Sequence, residues 1–287
     1  MNSQLSKRLV AFQGERGAFS EDAAVSILGE DIQLVPRATL ESLFASVAEG
    51  VADYSLVPME NTIAGSLHRS YDLLLDASLQ IVGETVIPVV HNLIGCPSAN
   101  LEMIEIVESH PMALAQCENF FAANPQIERV ATDDTAGSVR RVIQRGDPTR
   151  AAIAGKRAAR IHGGEILREH LEDHSENYTR FFLLGKAPEG QAQGDKVSLA
   201  VKLVHQPGSL YAALKVFARR GIDLLKIESR PITGQPWQYR FYLDFKGNWE
   251  DERVLEALAE LRKQTAELRV LGCYKSAEAP TSASTEG

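Results

Sequence analysis

Short apolar segments separated by helix-length amphipathic stretches recur twice within the first 185 residues. That alternation restricts this part of the chain to an α/β architecture. Residues 8–13 read as a strand ending in Gly14-Glu15-Arg16-Gly17. Ser20 is placed as an N-cap, Glu21 and Asp22 suit the positive start of a helix, and Gly29 closes it. A strand over 32–35, a helix over 40–49 and a strand over 54–58 follow. After Glu60-Asn61-Thr62 comes a helix with Leu67, Tyr71, Leu74 and Leu75 on one stripe. Residues 80–95 read as extended, and a second round begins. It has strands over 104–108, 129–132 and 152–154, helices over 112–122, 136–144 and 156–161, and a closing strand over 179–185. Two such rounds joined by two extended crossings predict two lobes, 8–87 with 178–185 and 88–177, around a cleft suited to a small ligand.

The pattern changes beyond a polar, Gly- and Pro-containing stretch at 186–195 that reads as a linker. Val197, Leu199, Val201 and Leu203 alternate with their neighbours as a half-buried strand. A helix over 208–220, strands over 222–228 and 237–245, a helix over 250–263 and a strand over 268–274 complete a βαββαβ, ferredoxin-like unit at 196–275. Residues 276–287 are small and polar and read as a disordered tail.

Several function classes are disfavoured. No apolar run is long enough to span a bilayer, and the first residues lack a small-residue cleavage site, so a cytoplasmic protein is expected. The net charge of −8 and the missing helix-turn-helix pattern argue against nucleic-acid binding. Cys96, Cys117 and Cys273 are widely spaced with no CxxC, which argues for a reducing compartment and against a zinc site or disulfide framework. The seven histidines show no HExxH spacing, so no metal is expected.

Polar residues mark candidate helix starts and strand ends at Glu60-Asn61-Thr62, Ser109-His110-Pro111, Asp134-Thr135-Ala136 and Thr179-Arg180. Helix N-termini expose unpaired amides that bind carboxylates, and the same residue types also serve simply as caps. Their order and wording carry a resemblance. Tyr178-Thr179-Arg180-Phe181 resembles the TRF signature of prephenate dehydratases, and Pro58-Met59-Glu60-Asn61-Thr62 their ENT element. The run from Ser109-His110-Pro111 to Gln116-Cys117 resembles their SHP…QC segment, and Asp134-Thr135-Ala136 their DTA element. Gly208-Ser209-Leu210-Tyr211 and Glu228-Ser229-Arg230-Pro231 are similar to the two phenylalanine-binding motifs of the ACT regulatory module in the same family.

The resemblance implies a periplasmic-binding-protein-like catalytic domain over 8–185 and an ACT domain over 196–275. The implied reaction converts prephenate to phenylpyruvate, CO2 and water, with phenylalanine as effector and no cofactor. Thr179 is then the residue at the chemistry, donating a hydrogen bond to the leaving hydroxyl. Asn61, Thr62, Ser109, Gln116 and Thr135 are expected to bind substrate. Arg180 suits either a bidentate carboxylate clamp or an ion pair between lobes. Glu60 would repel a dianion unless protonated or paired, so a structural role near the hinge fits it better. His110 is either a general acid or a helix start. In the ACT module, Gly208 lets a backbone approach the effector, and Glu228 offers a partner for its ammonium group or for Arg230. Ser209 stands where many relatives have Ala. ACT modules pair edge to edge, so a homodimer or homotetramer is expected. The rivals are an arogenate dehydratase, a solute-binding protein and a ligand-responsive regulator.

Overall fold

The computed structural model of the chain describes residues 7–186 and 193–278. They divide into two compact units, one formed by 7–77 with 85–181, the other by 78–84 with 182–186 and 193–278. Most of the expected linker, 187–192, and the last part of the expected tail, 279–287, lie outside the described residues.

In the first unit, β1 (Arg8–Gln13), α1 (Phe19–Leu28), β2 (Ile32–Arg37), α2 (Leu40–Ala48) and β3 (Tyr54–Asn61) alternate as expected. A short strand β4 (Gly65–Ser66), helix α3 (His68–Asp76) and strands β5 (Gln80–Pro88) and β6 (Asn92–Gly95) follow. The second round is β7 (Ile106–Ser109), α4 (Pro111–Ala115), α5 (Glu118–Ala123), β8 (Glu128–Ala131), α6 (Thr135–Arg145), β9 (Arg150–Ala154), α7 (Lys156–His162) and β10 (Glu165–Arg168). It closes on β11 (Tyr178–Gly185). One sheet has the order β2-β1-β3-β11-β5, with β4 paired to β3; the other has the order β10-β6-β9-β7-β8. β1 is parallel to β2 and β3 and buries Val10, Ala11 and Phe12 in succession, as a strand covered on both faces does.

The two lobes touch through Phe12 and Ala18, which join one apolar cluster with Ile94, Val139, Ala154 and Ala158. Gly17 makes the closest approach: at φ +92° a Cβ there would lie 2.7 Å from the Ala158 Cα, so only glycine fits. Charge pairs reinforce the junction. Arg140 grips Glu15 at 2.6 and 2.9 Å, and Arg157 bonds Asp22.

Three local expectations are corrected. Helix α1 starts at Phe19 with Ala18 as its N-cap and no side-chain cap bond, so Ser20 is inside it; the buried Glu21 takes the Gly17 amide ahead of the helix at 2.8 Å. Strand β3 runs past its expected end at Pro58 through Asn61, because a hairpin bridge to β4 (Glu60 opposite Ser66) extends it. The helix expected over 112–122 breaks at Gln116-Cys117. Asp173, distant in sequence, caps the new start by accepting from Glu118 N at 2.8 Å and Asn119 N at 2.9 Å.

In the second unit β12 (Lys196–Leu203), α8 (Ser209–Ala218), β13 (Leu224–Pro231), β14 (Tyr239–Lys246), α9 (Glu252–Gln264) and β15 (Thr265–Tyr274) form the βαββαβ arrangement. Its antiparallel sheet has the order β13-β14-β12-β15 and packs Val197, Leu199, Val201, Leu243 and Phe245 against Phe217 and Leu261 of the helices. The segments 78–84 and 182–185 belong here too. Phe182 stands edge-on to Tyr274 at 5.8 Å between ring centres, and Glu84 accepts from Lys196 Nζ at 2.6 Å. Ser276 and Ala277, read as tail, are instead hydrogen-bonded to Asp195 and Glu84. Among the described residues no helix is long and apolar enough to cross a membrane.

Candidate active site and effector site

Strands β1 and β2 end on the same side as β7 and β8, and a cavity of about 540 Å³ opens between these ends. Phe19 and Arg37 from one lobe, and His110, Thr135 and Arg141 from the other, line it together with the acidic Glu15, Asp133 and Asp134. Arg37 is steadied by its Nε bond to Ser46 at 2.8 Å, and Arg141 by its bond to Ser138 at 3.1 Å. Arg140, hydrogen-bonded to Glu15, holds that carboxyl below its usual range, so Glu15 stays ionised and neutralised. Asp134 uses a carboxylate oxygen on Gly137 N at 2.5 Å as the cap of α6. The cavity therefore offers two guanidinium groups whose orientation is set and whose acidic neighbours are largely engaged.

His110 fills the second of its two expected roles, the helix start, and stands at the cavity as well. It caps α4, its Nδ1 accepting from Met112 N at 3.2 Å, and it also lines the cavity. With Nδ1 occupied as an acceptor, a neutral His110 carries its proton on Nε2. Thr135, the first residue of α6, is at the cavity as well.

The other expected substrate residues gather around β3 and β11. Asn61 accepts at Oδ1 from Ile63 N at 3.0 Å and Ala64 N at 2.8 Å. Its Nδ2 donates to Asn177 Oδ1 at 2.8 Å, and its other hydrogen is shared between Tyr178 O and Thr179 Oγ1, both at 3.0 Å. Asn177 Nδ2 donates to Gln116 Oε1 at 3.0 Å, and His91 Nε2 meets the same oxygen at 2.9 Å. The Thr179 hydroxyl therefore accepts from Asn61 and, among the described residues, donates to none. His91 links this group to the cavity wall, its ring edge-on to Phe19 at 5.7 Å. Burial pushes the His91 imidazole pKa down, so the ring is neutral near pH 7.

Two expected contacts lie elsewhere. Ser109 is fully buried and donates to Ile153 O at 2.6 Å, so its hydroxyl holds β7 to β9. Thr62 uses its hydroxyl between strands, donating to Glu176 O at 2.8 Å and accepting from Tyr178 N at 2.9 Å. Glu60 and Arg180 are half-buried on β3 and β11. Cys117 is buried, and burial pushes its thiol pKa up, so it packs rather than reacts.

Sequence reading missed Arg37, His91, Arg141 and Asn177. Only Asn177 had a local signal: in a strand-like run, residues 177 and 179 fall on one face. The others reach the site through tertiary folding.

In the second unit Gly208 caps α8 at φ +85°, a conformation that favours glycine. A cavity of about 140 Å³ beside it is lined by Leu203, His205, Ser209, Leu210, Tyr239 and Phe241. The Ser209 hydroxyl is buried with no partner. Pairing to β14 sorts the second motif by face. Ser229 lies opposite Phe241 and Pro231 opposite Tyr239, on the helix-bearing side, whereas Glu228 lies opposite Tyr242 and Arg230 opposite Arg240, on the other. Glu228 thus faces away from α8. The two-residue period of the strand therefore puts Glu228 and Arg230 side by side on the face opposite α8 of the same chain.

Comparison with known proteins adds to this geometry. A sequence profile of the family described as prephenate dehydratase matches residues 10–189, and one described as ACT domain matches 197–263. The chain is 40% identical over 276 residues to arogenate dehydratase/prephenate dehydratase 2 of Arabidopsis thaliana, covering 92% of this chain and 72% of that one. Its fold is similar to the prephenate dehydratase of Arthrobacter aurescens solved with L-Phe, with a TM-score of 0.84 at 31% identity over 93% of this chain and 89% of that one. A structure described as GqqA, a novel type of quorum-quenching acylase, gives a TM-score of 0.86 at 32% identity, covering 95% and 99%.

Proposed function

The chain belongs to the prephenate dehydratase family, and from that premise we propose that its inter-lobe site aromatises prephenate to phenylpyruvate. The observation that carries the reading is the Thr179 hydroxyl, held as an acceptor by Asn61 with its own hydrogen left for a ligand. In the reaction the bond between the ring and its carboxylate breaks and CO2 leaves. That electron pair enters the ring, and the C4–O pair leaves with hydroxide, which takes one proton from solvent to become water. Thr179 donates to the departing oxygen as charge develops on it, where a preorganised donor is worth most. Arg37 and Arg141 receive the two carboxylates, as guanidinium groups do well. Gln116 and Thr135 supply further donors, and Glu60, Arg180 and His110 support the site. Ser109 and Thr62 hold its walls.

Arogenate, which carries an ammonium group in place of the ketone, is the second reading. Asp133 and Asp134 on the cavity wall favour it, as does the double name of the Arabidopsis relative. Assaying the purified chain with each substrate and following product absorbance decides. Phenylpyruvate from prephenate is expected, and turnover of arogenate alone would replace the first reading with the second.

Phenylalanine is the proposed effector, bound at the start of α8 with its carboxylate near Gly208 and Ser209. The relative solved with L-Phe supports this. Leu225, Ile227 and Tyr239 stay exposed around the edge strand β13, a surface that a second copy would cover, so a homodimer or homotetramer is the proposed assembly. In this reading the catalytic part runs over 8–185, except that 78–84 and 182–185 group with the regulatory part at 196–275. The three free, buried cysteines fit a reducing cytoplasm.

A further inference from the structure

We propose that Asn177 and His91 are positioning residues, which fix the amide of Gln116 so that the site offers its substrate donors rather than acceptors. The proposal rests on the dehydratase reading above, and neither residue is assigned a role in it.

The argument starts from two backbone groups. Ile63 N and Ala64 N can only donate, so the Asn61 atom facing them at 3.0 and 2.8 Å must be its oxygen. Its NH2 group then faces three acceptors, Asn177 Oδ1, the Tyr178 carbonyl and the Thr179 hydroxyl oxygen. The Asn177 atom 2.8 Å away must be an oxygen to accept, which turns the Asn177 NH2 toward Gln116. Gln116 must in turn present its oxygen, which also takes His91 Nε2–H at 2.9 Å. Every amide orientation follows from the two fixed backbone donors. The chain leaves two groups over, both donors: the Thr179 hydroxyl hydrogen and the Gln116 NH2, neither with a partner among the described residues. A dianion losing hydroxide needs donors, and a flipped Gln116 would offer it an oxygen.

His91 closes the chain. It is buried, and its Nδ1 has no hydrogen-bond partner, so the ring is held as the Nε2–H neutral tautomer. The depressed imidazole pKa agrees with that form. The charged groups nearby are Glu172, which accepts from His91 N at 2.8 Å and meets His170 at 3.0 Å, and Asp173, engaged with α5.

Asn177→Asp tests the idea in the full-length chain. When ionised, the introduced carboxylate presents oxygen to Gln116 and forces its amide to flip; when protonated, the same group donates to Gln116 and restores the original sense. At alkaline pH, kcat with prephenate should fall about 100-fold, the worth of one oriented donor. As pH falls it should recover along a one-proton curve that wild type lacks. Asn177→Ala, with nothing to protonate, should be impaired without that recovery. If Asn177→Asp turns over like wild type at alkaline pH, or if Asn177→Ala follows the same pH curve, the proposal is overturned. A pair at His91 covers the case in which position 177 variants fail to fold. His91→Gln keeps an N–H for Gln116 and should stay within a few-fold of wild type, while His91→Leu should lose about tenfold in kcat with KM little changed. Equal kcat for these two variants overturns the role of His91. A wild-type chain that leaves prephenate untouched instead overturns the dehydratase reading, which separates the two failures.

Discussion

In the first unit Thr179 meets Asn61 across 118 residues of sequence, and Asn177 meets Gln116 across 61. In the second, the segments Gly208–Tyr211 and Glu228–Pro231 are each continuous. Yet the β13 pairing sends Glu228 and Arg230 to one face and Ser229 and Pro231 to the other. A site assembled from distant segments thus ends up as one connected set of donors, while a motif contiguous in sequence is split by strand geometry. Contiguity is therefore a poor guide to which side chains act together: in a strand, period two decides it.

The sharpest test of whether the regions are separable is to cut between them. The sequence pattern marks the catalytic part as complete by Gly185, which predicts a folded fragment. The structure argues otherwise, because Ile81, Glu84 and Phe182 group with the second unit and are buried there. A Cβ on Gly272 would lie 2.2 Å from the Ile81 carbonyl oxygen, so the packing is close. Residues 1–186 alone should expose these side chains and aggregate or melt far below the full chain, as read by calorimetry. A fragment melting within a few degrees of the intact chain would restore the simpler division. Lys196→Met is the gentler version: Glu84 keeps its burial and loses the Lys196 ammonium. About 3–5 kcal/mol of stability should go, the cost of breaking a buried pair from one side.

Next in size is the chemistry. Thr179→Ala should lower kcat about 10²–10³-fold, the usual loss for one oriented donor, with little change in melting temperature. Thr179→Ser keeps the hydroxyl and should retain more. Asn61→Asp makes a finer cut: one carboxylate oxygen keeps the Ile63 and Ala64 amides while the other accepts from Thr179 and reverses its hydroxyl. Comparable losses in Thr179→Ala and Asn61→Asp are expected, and an active Asn61→Asp would break the single-sense chain.

These cases show what was legible. The α/β rounds, the two-lobe plan and the βαββαβ unit follow from apolar periodicity, which senses burial directly. Asn61, Gln116 and Thr179 were singled out through motif resemblance, and the fold joins them in one hydrogen-bonded chain. The break at Gln116-Cys117 was hidden because its cap, Asp173, comes from 55 residues downstream. Arg37 was hidden for a similar reason: it ends an edge strand, as arginines often do for structure, and only the fold turns it to the cavity. Ser109 shows the reverse, since a motif residue proves to be engaged by the Ile153 carbonyl.

Arg37→Gln should therefore act mainly on KM, raising it about tenfold or more by removing one charge-assisted contact, with kcat less affected. A change in kcat alone would move Arg37 from binding to chemistry. In the other region, Gly208→Val should cost about 1–2 kcal/mol from the positive φ and abolish the response to phenylalanine while sparing basal turnover. Initial rates titrated with phenylalanine decide it, and Glu228→Ala should leave the response intact because Glu228 faces away from α8.

The smallest effect sets two neighbours side by side. Lys196 pairs with Glu84 in the interior, whereas Asp195, one residue earlier, pairs with Lys275 at 2.7 Å with its own side chain 44% exposed. Burial alone would raise the Asp195 pKa, but Lys275 and the Ser276 amide bring it down to about 2. A carboxyl of an unfolded chain titrates near about 3.9. The folded value is the lower one, so the stabilisation is present above about pH 4 and is lost as pH falls toward about 2. Solvent screening at this exposure limits it to less than about 1 kcal/mol. Asp195→Asn should thus lower the melting temperature by no more than about 2–4 °C near neutrality. The gap should close in high salt and again at the acid end of the window. Lys196→Met should keep its much larger penalty in high salt, because a buried pair is screened far less. Similar salt responses from the two variants would show that the interior pair is wetter than its burial implies.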